Sequence, residues 1–167
     1  VLDPIFNATP FSNKILERFY ENSFKGRLSL QCRLELINDD FINIASKLNV
    51  CLEFGLQTIH LDEGRAVKRQ NNMKIVEKNI EIINLKELDY EITLIYGLPE
   101  QTLSSFIETV NWCLERSVPR IKAFPLMLLR GTELSHKKKQ WGLKESNDSM
   151  KVVTSSDTFD YRDWEQM

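Results

Sequence analysis

The stretch "LIYGLPEQT", residues 94–102, sets an apolar run directly against a glycine, a proline and a polar helix start. Gly97 has no Cβ, so the backbone there can approach a neighbouring group closely. Pro99 keeps Leu98 out of the helical region, and Thr102 is suited to cap the helix that follows. Because amides at a helix start favour anionic groups, we expect this turn to face a bound nucleotide. A helix-start turn without a ligand is the alternative.

Strand-like and helical patterns alternate along the whole chain. The strand-like runs are Val1–Leu2, Leu28–Leu36, Val50–Leu56, Tyr90–Tyr96 and Ile121–Leu129. Between them, apolar residues spaced by three or four positions predict helices, and Asn38 is expected to cap one of these. Such alternation is typical of βα units with a parallel sheet. Several runs are short and nearly all apolar, which predicts burial on both faces.

Composition excludes several classes of protein. The 167 residues include 22 Lys and Arg against 24 Asp and Glu, a net charge of -2, so no nucleic-acid partner is indicated. No apolar run approaches the ~20 residues of a membrane span, and the start has no signal-peptide pattern. The three cysteines, Cys32, Cys51 and Cys113, are far apart. Their odd, sparse count favours reduced thiols in a cytoplasmic protein over disulfides.

Two strand ends carry a resemblance to a known superfamily. "ITLIYGLPEQT" resembles the fifth-strand motif of radical S-adenosylmethionine (SAM) enzymes, in which an Ile-x-Gly-x-x-Glu-like segment lies near the adenine; Ile95, Gly97 and Glu100 fill that spacing. "FGLQT" resembles the fourth-strand motif, and Arg69 follows Gln57 by 12 positions (69 − 57). In the oxygen-independent coproporphyrinogen oxidase-like branch, a Gln and an Arg at this spacing contact the SAM ribose and carboxylate.

Three further stretches match the same superfamily in the same order. Glu35 in "RLELI" matches a third-strand acidic position that contacts SAM, and "LLRGTEL" resembles the sixth-strand ending. "LDPIFN" resembles the Asp-x-x-Phe segment of the cobalamin-binding, BchE-like branch. The resemblance spans most of residues 1–134. It implies an α/β fold: a partial TIM-like (β/α)6 radical-SAM barrel, strands two to six, with intervening helices and a parallel sheet.

The implied cofactors are SAM and a [4Fe–4S] cluster. The Cys-x3-Cys-x2-Cys motif that defines the superfamily is absent, and the three cysteines are expected to be packing residues. The cluster ligands are therefore expected outside this chain, and we assign no metal-binding or catalytic residue within it. The implied activity is that of an iron–sulfur oxidoreductase, which reductively cleaves SAM to start radical chemistry on a small-molecule substrate. This chain alone is expected to be inactive.

The same resemblance suggests domains and partners. Residues 1–136 are expected to form the partial barrel, and the polar segment 137–167 an irregular C-terminal extension of the same domain, anchored by its few apolar residues. The opening "VLDP" favours a fragment of a longer polypeptide over a complete domain with a trimmed N-terminus. An electron donor such as flavodoxin or ferredoxin is implied, and any cobalamin domain is expected upstream. An open sheet edge favours self-association.

Two other functions fit parts of the pattern. A non-catalytic α/β binding or scaffold domain would use the same turns structurally. A phosphate-binding barrel hydrolase or isomerase would need a glycine-rich phosphate loop late in the chain and paired carboxylates at strand ends, and neither is evident. The radical-SAM interpretation is the one that accounts for the strand-end motifs.

Overall fold

Four parallel strands form the main sheet of the computed structural model, which describes residues 3–167. They are β1 (Leu28–Cys32), β2 (Val50–Gln57), β3 (Tyr90–Tyr96) and β4 (Ile121–Pro125), and their order is β1-β2-β3-β4. The sequential order follows from right-handed βα crossovers, which bring all the C-terminal strand ends to one edge. The α/β fold with a parallel sheet is thus confirmed, and the expected strand at Val1–Leu2 lies outside the described residues.

Seven α-helices and three short 3-10 helices occur among residues 3–167. The α-helices are α1 (Ser12–Glu21), α2 (Asp39–Ala45), α3 (Leu61–Ala66), α4 (Met73–Leu85), α5 (Leu103–Glu115), α6 (Glu133–His136) and α7 (Tyr161–Gln166); the 3-10 helices are Phe6–Ala8, Leu34–Leu36 and Lys138–Trp141. Asn38 caps α2 by accepting from the amide of Phe41 at 2.9 Å. Thr102 caps α5 by accepting from the amide of Ser105 at 3.1 Å. Both predicted caps are confirmed.

The chain divides into two compact units. The first consists of Val1–Leu56, Asn72–Thr93 and Leu114–Lys122, and the second of Gln57–Asn71, Leu94–Cys113 and Ala123–Met167. In the first unit, Leu30, Phe41, Leu52, Phe54 and Ile80 are among the fully buried side chains. The second has an apolar cluster that we call the C-terminal core: Leu98, Leu126, Leu128, Leu143, Val153 and Phe159.

Strand β1 is shorter than its sequence pattern predicted. The apolar run reaches Leu36, but the strand ends at Cys32. The side chain of Asn7 takes over the next backbone groups: its Oδ1 accepts from the amide of Arg33 at 2.9 Å, and its Nδ2 donates to the Arg33 carbonyl at 2.9 Å. With those groups satisfied by a side chain, the backbone leaves the ladder and forms the 3-10 turn that contains Glu35.

Burial on both faces, expected for several of the strands, is not seen in the outer two. β1 alternates between buried and exposed residues, with Ser29 and Gln31 exposed, and the middle of β4 is exposed. β4 also stops at Pro125, short of the predicted Leu129. Continuous burial holds best for the two central strands, β2 and β3.

The segment expected to be irregular has defined secondary structure. β5 (Lys144–Glu145) and β6 (Val153–Ser155) pair antiparallel, and a capping box around Asp160 starts α7. The apolar residues expected to anchor the segment do so: Leu143, Val152, Val153 and Phe159 are buried, and Trp141 and Trp164 pack against the C-terminal core. The domain boundary at residue 136 stays a prediction.

The cysteines are confirmed as packing residues. Cys32, Cys51 and Cys113 are all buried, and none of them forms a disulfide. Burial raises the pKa of the Cys32 thiol to about 12, so this side chain is neutral at physiological pH. Separately, none of the helices within residues 3–167 combines the length and apolar character needed to cross a membrane.

Candidate functional site

Gln57 ends β2 in an unusual conformation. Its φ is +63°, in the left-handed region that residues other than glycine seldom adopt, and it is not at a helix end. The side chain is only 9% exposed, and its Oε1 atom is buried with no hydrogen-bond partner among residues 3–167. A buried acceptor without a donor costs free energy, as does the backbone conformation. Both costs fall on a residue that the sequence motif predicts to contact SAM, and that contact stays a prediction.

Arg69 lies in the loop between α3 and α4, within the same unit as Gln57. Its backbone amide donates to the carbonyl of Gly64 at 2.8 Å, and a Cβ at Gly64 would come within 2.8 Å of the Arg69 carbonyl. The loop is therefore held closely against α3 by a position that only glycine can occupy. The side chain is half-buried, and its Nε atom is buried.

The turn after β3 has a close backbone approach at Gly97, the residue at which the sequence predicted an approach to a ligand. Gly97 has a φ of +85° and is buried. The close approach that glycine permits is made to the chain itself, because an added Cβ would lie 3.2 Å from the Val153 carbonyl and 3.7 Å from Phe159. Ile95 packs against the C-terminal core. A SAM contact by either residue stays a prediction.

Glu100 is the second predicted site residue with a left-handed backbone. Its φ is +64°, and the amide of Gln101 donates to the carbonyl of Leu98 at 3.2 Å. With Pro99 before it, Glu100 occupies the third position of a type II turn, which normally carries glycine. The side chain is exposed and lines a pocket of about 510 Å³.

This pocket has an apolar lining and a charged rim, and all of its residues belong to the second unit. The apolar side chains include Val67, Leu134 and Trp141. At the rim, Glu133 accepts from Lys137 at 2.7 Å and from Lys68. These hydrogen bonds lower the pKa of the Glu133 carboxyl to about 2, so Glu133 is ionised over the physiological range and pairs with both lysines.

Glu35 differs from the other predicted site residues in its setting. It lies in the 3-10 turn after β1, in the first unit, and not in a strand as the sequence predicted. Its Oε1 accepts from Arg33 at 3.3 Å, and its side chain is 15% exposed. The other five, Gln57, Arg69, Ile95, Gly97 and Glu100, all belong to the second unit.

Sequence analysis missed three buried polar residues of the second unit: Thr58, Glu63 and Gln101. They are 2%, 2% and 0% exposed. Gln101 lies inside the stretch that was predicted to face a nucleotide. It follows Leu98, where the turn that contains Pro99 begins, by three residues. A glutamine there can reach back to the turn's amides, which is the signal that could have identified it.

Residues 3–167 contain no group of three histidine, cysteine or acidic side chains arranged to hold a metal ion. The three cysteines belong to two strands and a helix. These side chains do not fit the three-thiolate requirement of an iron–sulfur cluster. No step through a cluster is therefore derived from them.

Comparison with curated proteins gives a partial sequence match. The chain is 30% and 29% identical to the oxygen-independent coproporphyrinogen III oxidases of two Helicobacter pylori strains over 76 residues, which is 44% of this chain and 16% of theirs. No family model matches the chain. The match supports a relationship over one stretch and does not extend to the whole enzymes.

Solved structures match over more of the chain. The radical SAM methyltransferase TsrM from Kitasatospora setae, with tryptophan and a SAM analogue bound, has a TM-score of 0.75 at 13% identity, over 89% of this chain and 32% of TsrM. Elp3 from Methanocaldococcus infernus has a TM-score of 0.70 at 18% identity, over 83% of this chain and 39% of Elp3. HemN from Escherichia coli, described as a radical SAM enzyme, gives 0.56 at 22% identity, over 70% and 29%. The chain thus spans about a third of the length of these proteins.

Proposed function

We propose that this chain, whose fold is that of part of the radical SAM barrel, supplies strand ends that bind SAM in a radical SAM enzyme. The observation that carries the proposal is Gln57, with its left-handed backbone and its buried, unpartnered Oε1. Ribose hydroxyls are donors that would satisfy this acceptor. The place of Gln57 in "FGLQT", which resembles the fourth-strand motif, agrees with this role.

The other predicted contacts follow from the same motifs. Arg69 is suited to clamp the SAM carboxylate through two parallel N–H donors. Ile95, Gly97 and Glu100 are assigned to the adenine side. When bound, SAM supplies the sulfonium whose reductive cleavage starts radical chemistry. The part of this chain is to bind and orient SAM, and to keep water from it.

The substrate and the further cofactors belong to the whole protein. The cobalamin bound in one TsrM structure is a property of TsrM. A cobalamin domain, expected here from "LDPIFN", stays a prediction, as does an electron donor of the flavodoxin or ferredoxin type. The proposal is limited to SAM binding by the second unit and to radical SAM chemistry by the protein that contains it.

Calorimetric titration with SAM tests this proposal in the natural protein that contains these residues, prepared anaerobically with its cluster. Arg69→Ala should cost on the order of 1.5–3 kcal/mol of binding free energy, because a charge-assisted pair is lost. Gln57→Ala should cost about 1 kcal/mol, because a neutral hydrogen bond is lost. Gln70→Ala is the matched control, since Gln70 is exposed in the same loop as Arg69.

A second variant separates binding from folding at position 57. Gln57→Gly removes the side chain but permits the left-handed backbone, so it should stabilise the fold while SAM binding weakens. Unchanged SAM affinity in Gln57→Ala, Gln57→Gly and Arg69→Ala would show that the motif spacing is a coincidence. That result would favour the non-catalytic α/β binding domain.

A further inference from the structure

A chain of hydrogen bonds connects the end of β2 to the turn after β3 inside the second unit. Its members are Thr58, Glu63 and Gln101, and none of them is more than 2% exposed. Thr58 follows Gln57 directly, and Gln101 follows the turn that contains Gly97. This hydrogen-bonded series, which we call the bridge, therefore joins the two backbone segments that carry most of the proposed SAM contacts.

Gln101 satisfies three backbone groups of the β3 turn. Its Oε1 accepts from the amide of Gly97 at 2.7 Å and from the amide of Leu98 at 3.1 Å. Its Nε2 donates to the carbonyl of Ile95 at 3.2 Å. The turn's polar groups are buried here, so without this side chain they would lack partners, and the turn geometry would no longer be fixed.

Glu63, in the first turn of α3, connects Gln101 to the β2 end. Its Oε2 accepts from the hydroxyl of Thr58 at 2.5 Å and from Nε2 of Gln101 at 3.3 Å. The same Oε2 atom is thus the acceptor in both hydrogen bonds, and the Thr58 hydroxyl and the Gln101 amide are the donors. Asn71 adds a further restraint on the β2 end by donating to the Thr58 carbonyl at 3.1 Å.

Burying the Glu63 carboxyl group among neutral donors costs free energy. Desolvation of the carboxylate is costly, and apolar residues of similar volume would often stabilise such a site more. Fully satisfied polar networks instead specify one arrangement of the segments that they join. This bridge joins the strand end that carries Gln57 to the turn that carries Gly97.

We propose that Glu63 and Gln101 are positioning residues, which hold the end of β2 and the β3 turn in the one geometry that binds SAM. The inference rests on the proposed function. Neither residue contacts SAM in this proposal. They act through Thr58 on the backbone at Gln57, and through the amides of Gly97 and Leu98 on the turn.

A charge-swap cycle tests the bridge. Gln101→Glu places a second carboxyl group beside Glu63. It also removes the two hydrogen bonds that Nε2 donates, to Glu63 and to the Ile95 carbonyl, so it should be the more damaging single change. Glu63→Gln should be mild, because an amide oxygen can still accept from Thr58 and Gln101. The double variant Glu63→Gln with Gln101→Glu restores one donor between the two side chains and leaves a carboxylate for the amides of Gly97 and Leu98. The Ile95 carbonyl stays without its side-chain donor, so recovery in the double variant should be partial.

Two measurements are needed on the natural protein that contains these residues. Hydrogen exchange of the Gly97 and Leu98 amides, without ligand, should be faster in Gln101→Glu by about tenfold and should recover in part in the double variant. SAM affinity should fall about tenfold in Gln101→Glu and recover in the same way. Thr158→Val is the control, because the Thr158 hydroxyl donates to the Gln101 carbonyl at 2.6 Å and does not touch the bridge's side chains.

Thr58→Val is the alternative variant should Gln101→Glu not fold. It removes the hydroxyl that donates to Glu63 and accepts from the amide of His60 at 3.0 Å, and it should weaken SAM binding through Gln57 by about fivefold. Exchange or SAM affinity that stays at the wild-type value in both variants, or a double variant no better than Gln101→Glu, would overturn the positioning role. Wild-type protein that binds no SAM would instead overturn the proposed function, while the exchange arm would still report on the bridge.

Discussion

At the scale of single residues, backbone strain separates two of the proposed site positions from ordinary turn residues. Ser23, Lys68, Glu87 and Ser117 also have positive φ, but each follows the C-terminus of a helix, where a left-handed residue is common. Gln57 ends a strand, and Glu100 lies in a proline turn. Their strain is not explained by helix termination, which is why it supports a binding role.

Glu100→Gly should stabilise the protein by about 0.5–1 kcal/mol, because glycine adopts φ +64° without a Cβ penalty. The free energy of unfolding from urea titration is the measurement. Glu81→Gly is the control: Glu81 is exposed in the interior of α4, and glycine there should cost about 1 kcal/mol. Destabilisation by both changes would show that the Glu100 backbone is not strained.

Gly97→Ala should destabilise the protein more than Gly131→Ala. Both glycines have a φ near +80°, at +85° and +80°, so both substitutions pay about 1–2 kcal/mol for the left-handed backbone. At Gly97 the new methyl group would also meet the Val153 carbonyl at 3.2 Å, whereas nothing lies within 4 Å at Gly131. Equal losses in urea unfolding would mean that the C-terminal segment does not press on the turn.

At the scale of elements, the C-terminal segment is attached to the β3 turn and to the chain after β4. The amide of Val153 donates to the carbonyl of Leu126 at 2.8 Å, and Met127 forms an antiparallel bridge with Val152. The Thr158 hydroxyl adds its bond to Gln101. These contacts make the segment part of the second unit's core.

Phe159→Ala should therefore destabilise the protein by about 3–5 kcal/mol, since Phe159 is 3% exposed within the C-terminal core. Phe11→Ala is a matched control, because Phe11 is 61% exposed and its loss should change stability little. Thermal unfolding followed by circular dichroism measures both. A loss of less than about 1 kcal/mol for Phe159→Ala would show that the segment is only loosely attached.

The ionic rim formed by α6 should contribute stability that depends on pH. The lysine partners hold the pKa of Glu133 at about 2 in the folded state, below its ordinary value of 4.5. A depressed folded-state pKa gives stability that is fully present above pH 4.5 and is lost as the pH falls towards 2. The stability difference between wild type and Glu133→Gln should thus be constant from pH 5 to 7 and vanish towards pH 2.

High salt is the control for this effect. The Lys68 and Glu133 side chains are 73% and 45% exposed, so about 1 M salt should shrink the difference at neutral pH. A difference that persists at pH 2, or that ignores salt, would assign the effect of Glu133→Gln to the α6 backbone instead. The comparison needs urea unfolding at each pH and salt concentration.

At the scale of the whole molecule, the arrangement of the thiols limits what these residues can do alone. The cysteines are separated by 19 and 62 positions (51 − 32 and 113 − 51) and are all buried. The Cys32 thiol, with its pKa raised to about 12, does not offer the thiolate that iron requires. A cluster needs several converging thiolates on accessible chain.

The 167 residues alone should therefore assemble no [4Fe–4S] cluster and should not cleave SAM. Anaerobic reconstitution with iron and sulfide, followed by visible absorbance and an assay for 5′-deoxyadenosine, is the measurement. A stable cluster that produces 5′-deoxyadenosine would contradict the assignment of the three cysteines to packing. It would also show that the cluster ligands lie within these residues.

The sequence by itself determined the alternation of strands and helices, the parallel sheet, two of the helix caps and the buried cysteines. These features depend on residue spacing and on neighbours a few positions away, as Asn38 and Thr102 illustrate. The repeated apolar spacing leaves each helix one face to bury, and βα alternation leaves few topologies. The strand-end motifs also pointed to Gln57 before its strain was visible.

Only the tertiary structure decided where β1 ends, what fills the space beside Gly97 and which residues link the strand ends. Each depends on partners far apart in sequence: Asn7 and Arg33 are 26 positions apart, and Glu63 and Gln101 are 38 apart. No local pattern encodes such a pair, since a polar side chain is favourable inside a protein only where folding brings its partner within hydrogen-bond distance. The same non-local packing places the Val153 carbonyl against Gly97.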